Sequence, residues 1–199
     1  MKRKRGTLYG VGVVDANYKT QLFDIVDGKR KRTWVCPYYT KWKSMFDRCY
    51  SDNFHKTNPT YKGCTVCKEW HSFTKFKSWM EAQDWESKHL DKDLLKVGNS
   101  EYHPDACVFV TKALNSFMND HGNARGDLPL GVSPEKAGKF RARVWNPLTG
   151  KREYLGCFND PDKAHLAWKK RKHELACQLA GSEHVTDERV AQALRTRYL

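Results

Sequence analysis

The segment FRARVW (residues 140–145) alternates between two kinds of side chain, and this pattern restricts the fold most. Neighbouring side chains of an extended strand point to opposite faces. One face therefore carries the apolar residues Phe140, Ala142 and Val144. The other face carries Arg141, Arg143 and Trp145. The apolar face is expected to pack inside the protein, and the cationic, aromatic face is expected to point away from the core.

The flanking residues predict a hairpin and a helix. NPLTG (146–150) is typical of a turn between two antiparallel strands. In the segment 159–180, Asn159 or Asp160 is expected to cap a helix that Pro161 opens. The residues expected to pack this helix on the sheet are Ala164, Leu166, Ala167, Trp168 and Leu175.

The outward face of this strand suits contact with nucleic acid. The major groove of DNA admits a two-stranded ribbon, and an arginine there can bridge O6 and N7 of guanine. The alternative is a solvated strand face, for which two arginines and a tryptophan are an unusual composition. We therefore expect this face to contact double-stranded DNA, with Arg141 among the contacting residues.

Residues 131–180 resemble the DNA-binding domain of plant ethylene-response (APETALA-type) factors, which also occurs in phage homing endonucleases. The resemblance rests on GV, GKF, the hairpin, YLGCF and DPDKAHLAW. It implies a three-stranded antiparallel sheet packed on one helix, with the sheet in the major groove. The family's base-contacting positions fall on Arg143, Trp145, Arg152 and Tyr154. Ser133 stands where plant members usually carry arginine, so their target sequence is not carried over.

The charge of the chain favours the same partner. The formal net charge of the 199-residue chain is +13, and basic residues occur along its whole length. Basic side chains that neutralise phosphates release counterions, so this excess of positive charge favours a polyanionic partner. The alternative is that the charge only aids solubility. The longest apolar run is only a few residues, which predicts neither a membrane span nor a signal peptide. The sequence therefore predicts a cytoplasmic protein.

A second set of motifs lies between residues 89 and 120. HLDKDLL (89–95) predicts a short strand, and CVFV (107–110) predicts another. TKALNSFMND (111–120) then predicts a helix capped by Thr111. Upstream, residues 38–89 are expected to be mostly helical, with aromatic side chains at helical spacing forming the core.

This strand, loop, strand and helix resemble the ββα-metal (HNH) nuclease motif of phage proteins. In that family a strand ends in Asp-His, where the Asp binds a divalent metal and the His deprotonates the attacking water. The resemblance places Asp91 at the metal position and Asn115 at the second metal position. If the module cleaves DNA, these two residues are expected to bind Mg²⁺ or a similar ion.

Two positions depart from the HNH pattern. Lys92 stands at the base position, and Ala106 stands where an asparagine normally steadies the loop. A lysine has an ordinary pKa of ~10.4, so it is protonated at neutral pH and is a poor base. Lys92 is more simply expected to pair with an aspartate or to touch a phosphate. The candidate catalytic residues of this segment are Lys92, Asp93, His89 and His103.

The seven cysteines are odd in number and scattered, which favours thiols over disulfides. Cys64 and Cys67 have the spacing of a zinc knuckle, and Cys36, Cys49 or His71 would have to complete the site. The alternative is buried thiols packed beside aromatic rings. Zinc is therefore the less favoured interpretation.

Together these patterns predict an α+β chain of five parts. These are a basic N-terminal segment (1–37), an HNH-like module (38–120), a linker (121–129), an APETALA-type domain (130–181) and a C-terminal helix (182–199). The favoured function is a phage-type protein that binds double-stranded DNA, with lost or altered cleavage, in the cytoplasm of an infected bacterial host. The alternatives are an active Mg-dependent endonuclease or nickase, a non-enzymatic regulator or inhibitor acting on host DNA or a host protein, and a zinc-stabilised RNA binder. The oligomeric state is left open.

Overall fold

The computed structural model describes residues 7–119 and 127–199. Residues 1–6 of the basic N-terminal segment, and 121–126 of the predicted linker, lie outside this range. The chain divides into two compact units, Met1–Phe109 and Val110–Leu199, which we describe separately. Helices and strands are mixed throughout, so the predicted α+β class is confirmed. The five-part division stays a prediction.

Unit one begins with a hairpin and continues with short helices. Its elements are β1 (Gln21–Val26), β2 (Lys29–Val35), α1 (Pro37–Tyr50), α2 (Asp52–Thr57), β3 (Thr65–Val66), α3 (Phe73–Glu81), β4 (His89–Asp91) and β5 (Glu101–Tyr102). Strand β6 (Val108–Val110) pairs with β4, and β3 pairs with β5 in parallel. The predicted strand over 89–95 is therefore only three residues long.

Aromatic side chains form the core of unit one, as the helical spacing predicts. On α1, Trp42 and Phe46 are fully buried, and α3 contributes Phe73 and Phe76. The indole N–H of Trp42 donates a 2.7 Å hydrogen bond to the carbonyl oxygen of Trp70, which satisfies its polar atom inside the core.

The hairpin β1–β2 was not predicted from the sequence. Its turn is Asp27-Gly28, and both residues have positive φ, 51° and 68°. This is the backbone of a type I′ turn, which favours Asp-Gly and matches the twist of the strands that it joins. The Asp-Gly pair before the basic run 29–32 was the signal that identifies it.

Unit two is built on an antiparallel sheet in the order β7–β8–β9. Its elements are α4 (Lys112–Met118), β7 (Val132–Pro134), β8 (Phe140–Asn146), β9 (Lys151–Phe158), α5 (Pro161–Ala180) and α6 (Glu188–Thr196). The predicted three-stranded sheet is thus confirmed. Of the two predicted caps of α5, Asp160 forms the cap, because its carboxylate accepts a 2.8 Å hydrogen bond from the Asp162 N–H.

Helix α5 packs on the apolar face of the sheet. Ala142 and Val144 of β8, and Ala164, Trp168 and Leu175 of α5, are buried. The prediction that Leu166 belongs to this contact was wrong, because 63% of the residue is exposed to solvent. Leu166 lies two positions from both Ala164 and Trp168, and residues two apart on a helix do not share a face.

Gly131 marks the closest approach between the start of β7 and α5. Its φ is +78°, and a β-carbon built on it would lie 2.0 Å from Cδ1 of Trp168. The imidazole Nδ1 of His165 lies 2.8 Å from the carbonyl oxygen of Leu130, the neighbouring residue. Only glycine fits at this position, because any side chain would displace the Trp168 ring.

Candidate nucleic-acid interface

Four side chains form a compact patch on the outward face of β8 and β9. Arg143 lies directly opposite Tyr154, and Trp145 lies directly opposite Arg152. Cross-strand partners share a face, so the four make a two-by-two arrangement of cations and rings. All are exposed, with Trp145 at 45% and Tyr154 at 61%. We call these four residues the sheet patch.

The register of the sheet patch is held by a polar network on the opposite face. Asn146 is buried, and its amide donates a 2.6 Å hydrogen bond to Oε1 of Glu153. Arg171 of α5 donates to both carboxylate oxygens of Glu153, at 2.7 and 3.1 Å. The hydrogen bonds from Arg171 and Asn146 lower the pKa of Glu153. The sheet is thereby fixed to α5 by a charged group that stays ionised at neutral pH.

Asn146 also shapes the hairpin turn. Its side-chain oxygen accepts hydrogen bonds from the N–H groups of Leu148 and Thr149, at 2.9 and 3.3 Å. Gly150, with φ +67°, closes the turn by donating to the carbonyl oxygen of Asn146. The predicted NPLTG turn is therefore confirmed.

Arg141 differs from the other predicted contacts of this strand. It forms a 2.9 Å ion pair with Glu135 and is only partly exposed. Between Ala142 and Arg143 the register with β9 shifts, so Arg141 lies beyond a bulge and opposite Cys157. Cys157 is an exposed free thiol. Arg141 is thus on the same face, with part of its charge already neutralised.

An open groove of about 600 Å³ borders the sheet patch within unit two. It lies beside the first residue of β7, Val132, because the pairing of β7 with β8 does not extend beyond Ala142. Its polar and cationic lining residues include Ser116, Asn119, Arg143, Arg152 and Lys172. The groove therefore extends the basic surface of the sheet towards α4.

Lys172 is a buried cation of α5 that the sequence did not identify. Its ammonium donates a 2.5 Å hydrogen bond to the carbonyl oxygen of Phe117. It also lies 4.0 Å from the Phe117 ring centroid, 5.5 Å from that of Trp168 and 5.4 Å from that of Tyr198. Such cation–π contacts stabilise a charge away from water.

In unit one, the segment after β4 is a turn rather than a continued strand. Asp91 Oδ1 accepts hydrogen bonds from the backbone N–H groups of Asp93 and Leu94, at 2.8 and 2.7 Å. An aspartate that bonds to the backbone two and three residues ahead favours a turn over a strand. This local bonding explains why the strand stops at Asp91.

Lys92 is buried, with 7% of its surface exposed, and it closes the loop that follows. Its ammonium pairs with both oxygens of Asp93, at 2.7 and 2.8 Å, and donates to the carbonyl oxygen of Asn99 at 2.6 Å. The Asn99 amide returns a 2.9 Å hydrogen bond to the Lys92 carbonyl oxygen. The expected pairing of Lys92 with an aspartate is therefore formed.

The environment of Lys92 favours its charged form. Burial opposes the charge, but the hydrogen bonds and negative charge of Asp93 more than compensate, and the pKa of Lys92 is raised. The nearby Arg48 is also charged. Burial opposes its charge too, but Tyr102 and the Asp91 carboxylate contribute to a raised pKa. Asp91 therefore lies among cations that belong to the protein itself.

The other predicted residues of the HNH-like segment are not part of this turn. Asn115 is part of α4 and therefore of unit two, whereas Asp91 belongs to unit one. His103 Nδ1 accepts a 3.2 Å hydrogen bond from the Asp105 N–H, and His89 is exposed at the start of β4. In residues 7–119 and 127–199, no three His, Cys, Asp or Glu side chains are grouped to hold a metal. The metal and catalytic roles stay predictions.

The cysteines of unit one are buried thiols. Cys64 and Cys67 are 5% and 7% exposed, and burial raises the pKa of Cys67. Burial and the neighbouring Cys64 raise the pKa of Cys49 to about 12. The His71 ring nitrogen Nε2 lies 3.0 Å from the carbonyl oxygen of Val66, so it is already engaged. The zinc interpretation stays a prediction.

Comparison with known proteins gives a partial similarity. The chain is 39% identical over 46 residues to the ethylene-responsive transcription factor ERF116 of Arabidopsis thaliana. The aligned residues make up 23% of this chain and 16% of that protein. No family model matches the chain, and no solved structure matches it.

None of the helices among the described residues has the length and apolar character needed to cross a bilayer.

Proposed function

We propose that this chain binds double-stranded DNA through the sheet patch, on a scaffold that retains the HNH-like order of elements without its cleavage chemistry. The observation that carries the proposal is the pairing of Arg143 with Tyr154 and of Trp145 with Arg152 on one exposed face. Partial similarity to a transcription factor also supports DNA binding.

Charge and shape support duplex DNA as the ligand. Within the described parts of the chain, neither Arg143 nor Arg152 takes part in an ion pair, so both are free to meet phosphates or guanine edges. All four residues of the sheet patch lie on the two strands β8 and β9, and the major groove admits a two-stranded ribbon. Phosphate contacts would fix the position of the sheet, and base contacts would select the sequence.

The test compares the DNA affinity of two variants of the full chain, each of which loses two positive charges from unit two. The variant R143Q/R152Q removes two cations from the sheet patch, and K163Q/K170Q removes two exposed cations from α5. Gel-shift titrations with a duplex library at several salt concentrations should show about a tenfold or larger loss for the first variant only. The slope of log affinity against log salt should fall by roughly two. Equal losses in both variants would contradict the proposal.

DNA cleavage is the competing function, because β4, β6 and α4 follow in the order that the HNH motif requires. Two features of the turn count against it. The group at the base position, Lys92, is held protonated by Asp93, and Asp91 has already engaged one oxygen with the backbone. A general base must accept a proton, which an ammonium cannot do.

Cleavage is tested by incubating purified protein and supercoiled plasmid with Mg²⁺ or Mn²⁺. We expect no nicking by the wild-type chain. Nicking that disappears in Asp91→Ala would instead establish a nuclease that depends on Asp91, and Asn115→Ala would then test the second metal position. If the sheet patch variants bind as tightly as wild type, the regulator that acts through a host protein becomes the better hypothesis. The phage origin and the bacterial host cytoplasm remain predictions from resemblance.

A further inference from the structure

The hairpin β1–β2 exposes nearly its whole surface. Every strand residue other than Gln21 and Val35 is exposed, including Phe23, Ile25 and Trp34. A two-stranded hairpin is only marginally stable in water without a partner. Exposed rings and a basic run on such a ribbon therefore suggest that something binds it.

The two faces of the ribbon differ in charge. Directly opposed pairs share a face, so Phe23, Arg32, Ile25 and Arg30 lie on one side. This first face has two arginines and no carboxylate. The guanidinium of Arg30 stacks 4.2 Å from the Phe23 ring centroid, which confirms the shared side.

The second face carries its own counter-charges. Its cross-strand pairs are Asp24 with Lys31 and Val26 with Lys29. The ammonium of Lys31 also forms a 3.3 Å ion pair with Asp27 of the turn. The positive charge that remains available is therefore concentrated on the arginine face.

We propose that the arginine face of β1–β2 is a second contact for double-stranded DNA, in which the ribbon lies in the major groove and Arg30 and Arg32 meet the phosphates. The inference rests on the proposed function in one respect, namely that duplex DNA is the ligand. It adds a site in unit one that is separate from the sheet patch of unit two.

Dimensions and chemistry favour the duplex over other partners. Strands of this length span roughly 20 Å, and a two-stranded ribbon fits the major groove, which is about 12 Å wide. Stacking against Phe23 fixes the Arg30 fork, so less side-chain freedom is lost when it meets a phosphate. The type I′ turn keeps the ribbon twisted to the right, and its base is held by the 2.9 Å hydrogen bond from Cys36 N–H to the Thr20 carbonyl oxygen.

The experiment compares the two faces of the same ribbon in the full chain. R30Q/R32Q and K29Q/K31Q each remove two positive charges from exposed positions. Fluorescence anisotropy with a random 30-base-pair duplex, from about 50 to 200 mM salt, gives Kd and its salt dependence. We expect R30Q/R32Q to raise Kd about tenfold and to reduce the salt slope by roughly two, and K29Q/K31Q to change Kd less than about threefold.

Several other results would contradict the arginine-face contact or the proposed function. Equal effects of R30Q/R32Q and K29Q/K31Q, or an R30Q/R32Q variant that binds like wild type, would overturn the arginine-face contact. A loss seen with single-stranded RNA but not with the duplex would also overturn it. If R143Q/R152Q weakens duplex binding while R30Q/R32Q does not, only this inference fails. If the wild-type chain binds no duplex, the proposed function fails with it.

Discussion

The sheet patch and the turn at Asp91–Asp93 both contain basic side chains, but they use them in opposite ways. Arg143 and Arg152 lie exposed beside aromatic rings, and the described residues offer them no carboxylate partner. Lys92 is buried, paired with Asp93 and bonded to the Asn99 carbonyl oxygen. In the first region the charge is available to a ligand, and in the second it holds the protein together.

This difference shows that motif resemblance and available chemistry are separate questions. The sequence around Asp91 predicted an HNH-like site, yet both hydrogen bonds that Asp91 Oδ1 accepts come from the backbone of its own turn. In the sheet, the polar side chains of Asn146 and Glu153 hydrogen-bond to each other on the opposite face. That leaves the sheet patch free for an outside partner.

The largest effect is expected from a change that destabilises unit two and with it the sheet patch. Gly131→Ala places a β-carbon 2.0 Å from Trp168 at a φ of +78° and should destabilise unit two by about 3–5 kcal/mol. Hydrogen exchange of the α5 amides measures this loss. Gly150→Ala is the control, because its φ is also positive but no atom lies within 4 Å, and about 1–2 kcal/mol is expected. Equal losses would disprove the close approach.

A second prediction tests whether Lys92 is structural. Lys92→Ala leaves the Asp93 carboxylate and the Asn99 carbonyl oxygen without their donor, so a loss of about 2 kcal/mol is expected. The exposed Lys96→Ala should change stability by less than about 0.5 kcal/mol. Hydrogen exchange over residues 89–102 measures both. A Lys92→Ala variant as stable as Lys96→Ala would remove the loop-closing role.

The third prediction separates aromatic from charged contacts in the sheet patch. Trp145→Ala should weaken DNA binding by roughly 1–2 kcal/mol, because exposed tryptophan rings in binding surfaces typically carry a large share of the binding energy. The slope of log affinity against log salt should not change, since no charge is removed. Leu166→Ala, an exposed apolar residue of α5, should bind as wild type does. A change of slope in Trp145→Ala would contradict this division of roles.

The smallest effect concerns pH. The pKa of Glu153 is lowered in the fold by Arg171 and Asn146, so its contribution is complete above the ordinary glutamate value of ~4.3. That contribution is lost as the pH falls through the lowered value, because the protonated carboxyl no longer pairs with Arg171. Between pH 7 and 3, the free energy of unfolding measured in urea should fall by about 1 kcal/mol more for wild type than for Glu153→Gln. Parallel losses would exclude this role for Glu153.

Local signals in the sequence predicted much of unit two. The alternation over 140–145, the NPLTG turn and the Asp-Pro-Asp helix start each specify a few neighbouring residues, and each is observed. The prediction erred at Leu166, because an apolar residue on a helix can face solvent when its neighbours fill the contact. The sequence alone also could not place Lys172 among three aromatic rings, since two of them, Phe117 and Tyr198, come from other parts of the chain.

The candidate site was likewise predicted from the sequence only in part. The face shared by Arg143 and Trp145 follows from strand geometry, but the bulge after Ala142 and the ion pair of Arg141 do not. The turn at Asp91 depends on one aspartate bonding to the backbone in preference to a longer strand, a balance that residue preferences do not resolve. The β1–β2 hairpin had a readable signal in Asp27-Gly28, which the basic run beside it obscured.

The placement of Cys157 opposite Arg141 gives the protein a natural reporter position. Five of the seven cysteines are buried and two, Cys157 and Cys177, are exposed. In a Cys177→Ser background, a maleimide dye would therefore attach selectively at the rim of the sheet patch. Protection of this single thiol by a duplex would report occupancy of the sheet directly, in a chain whose other thiols are shielded by its own core.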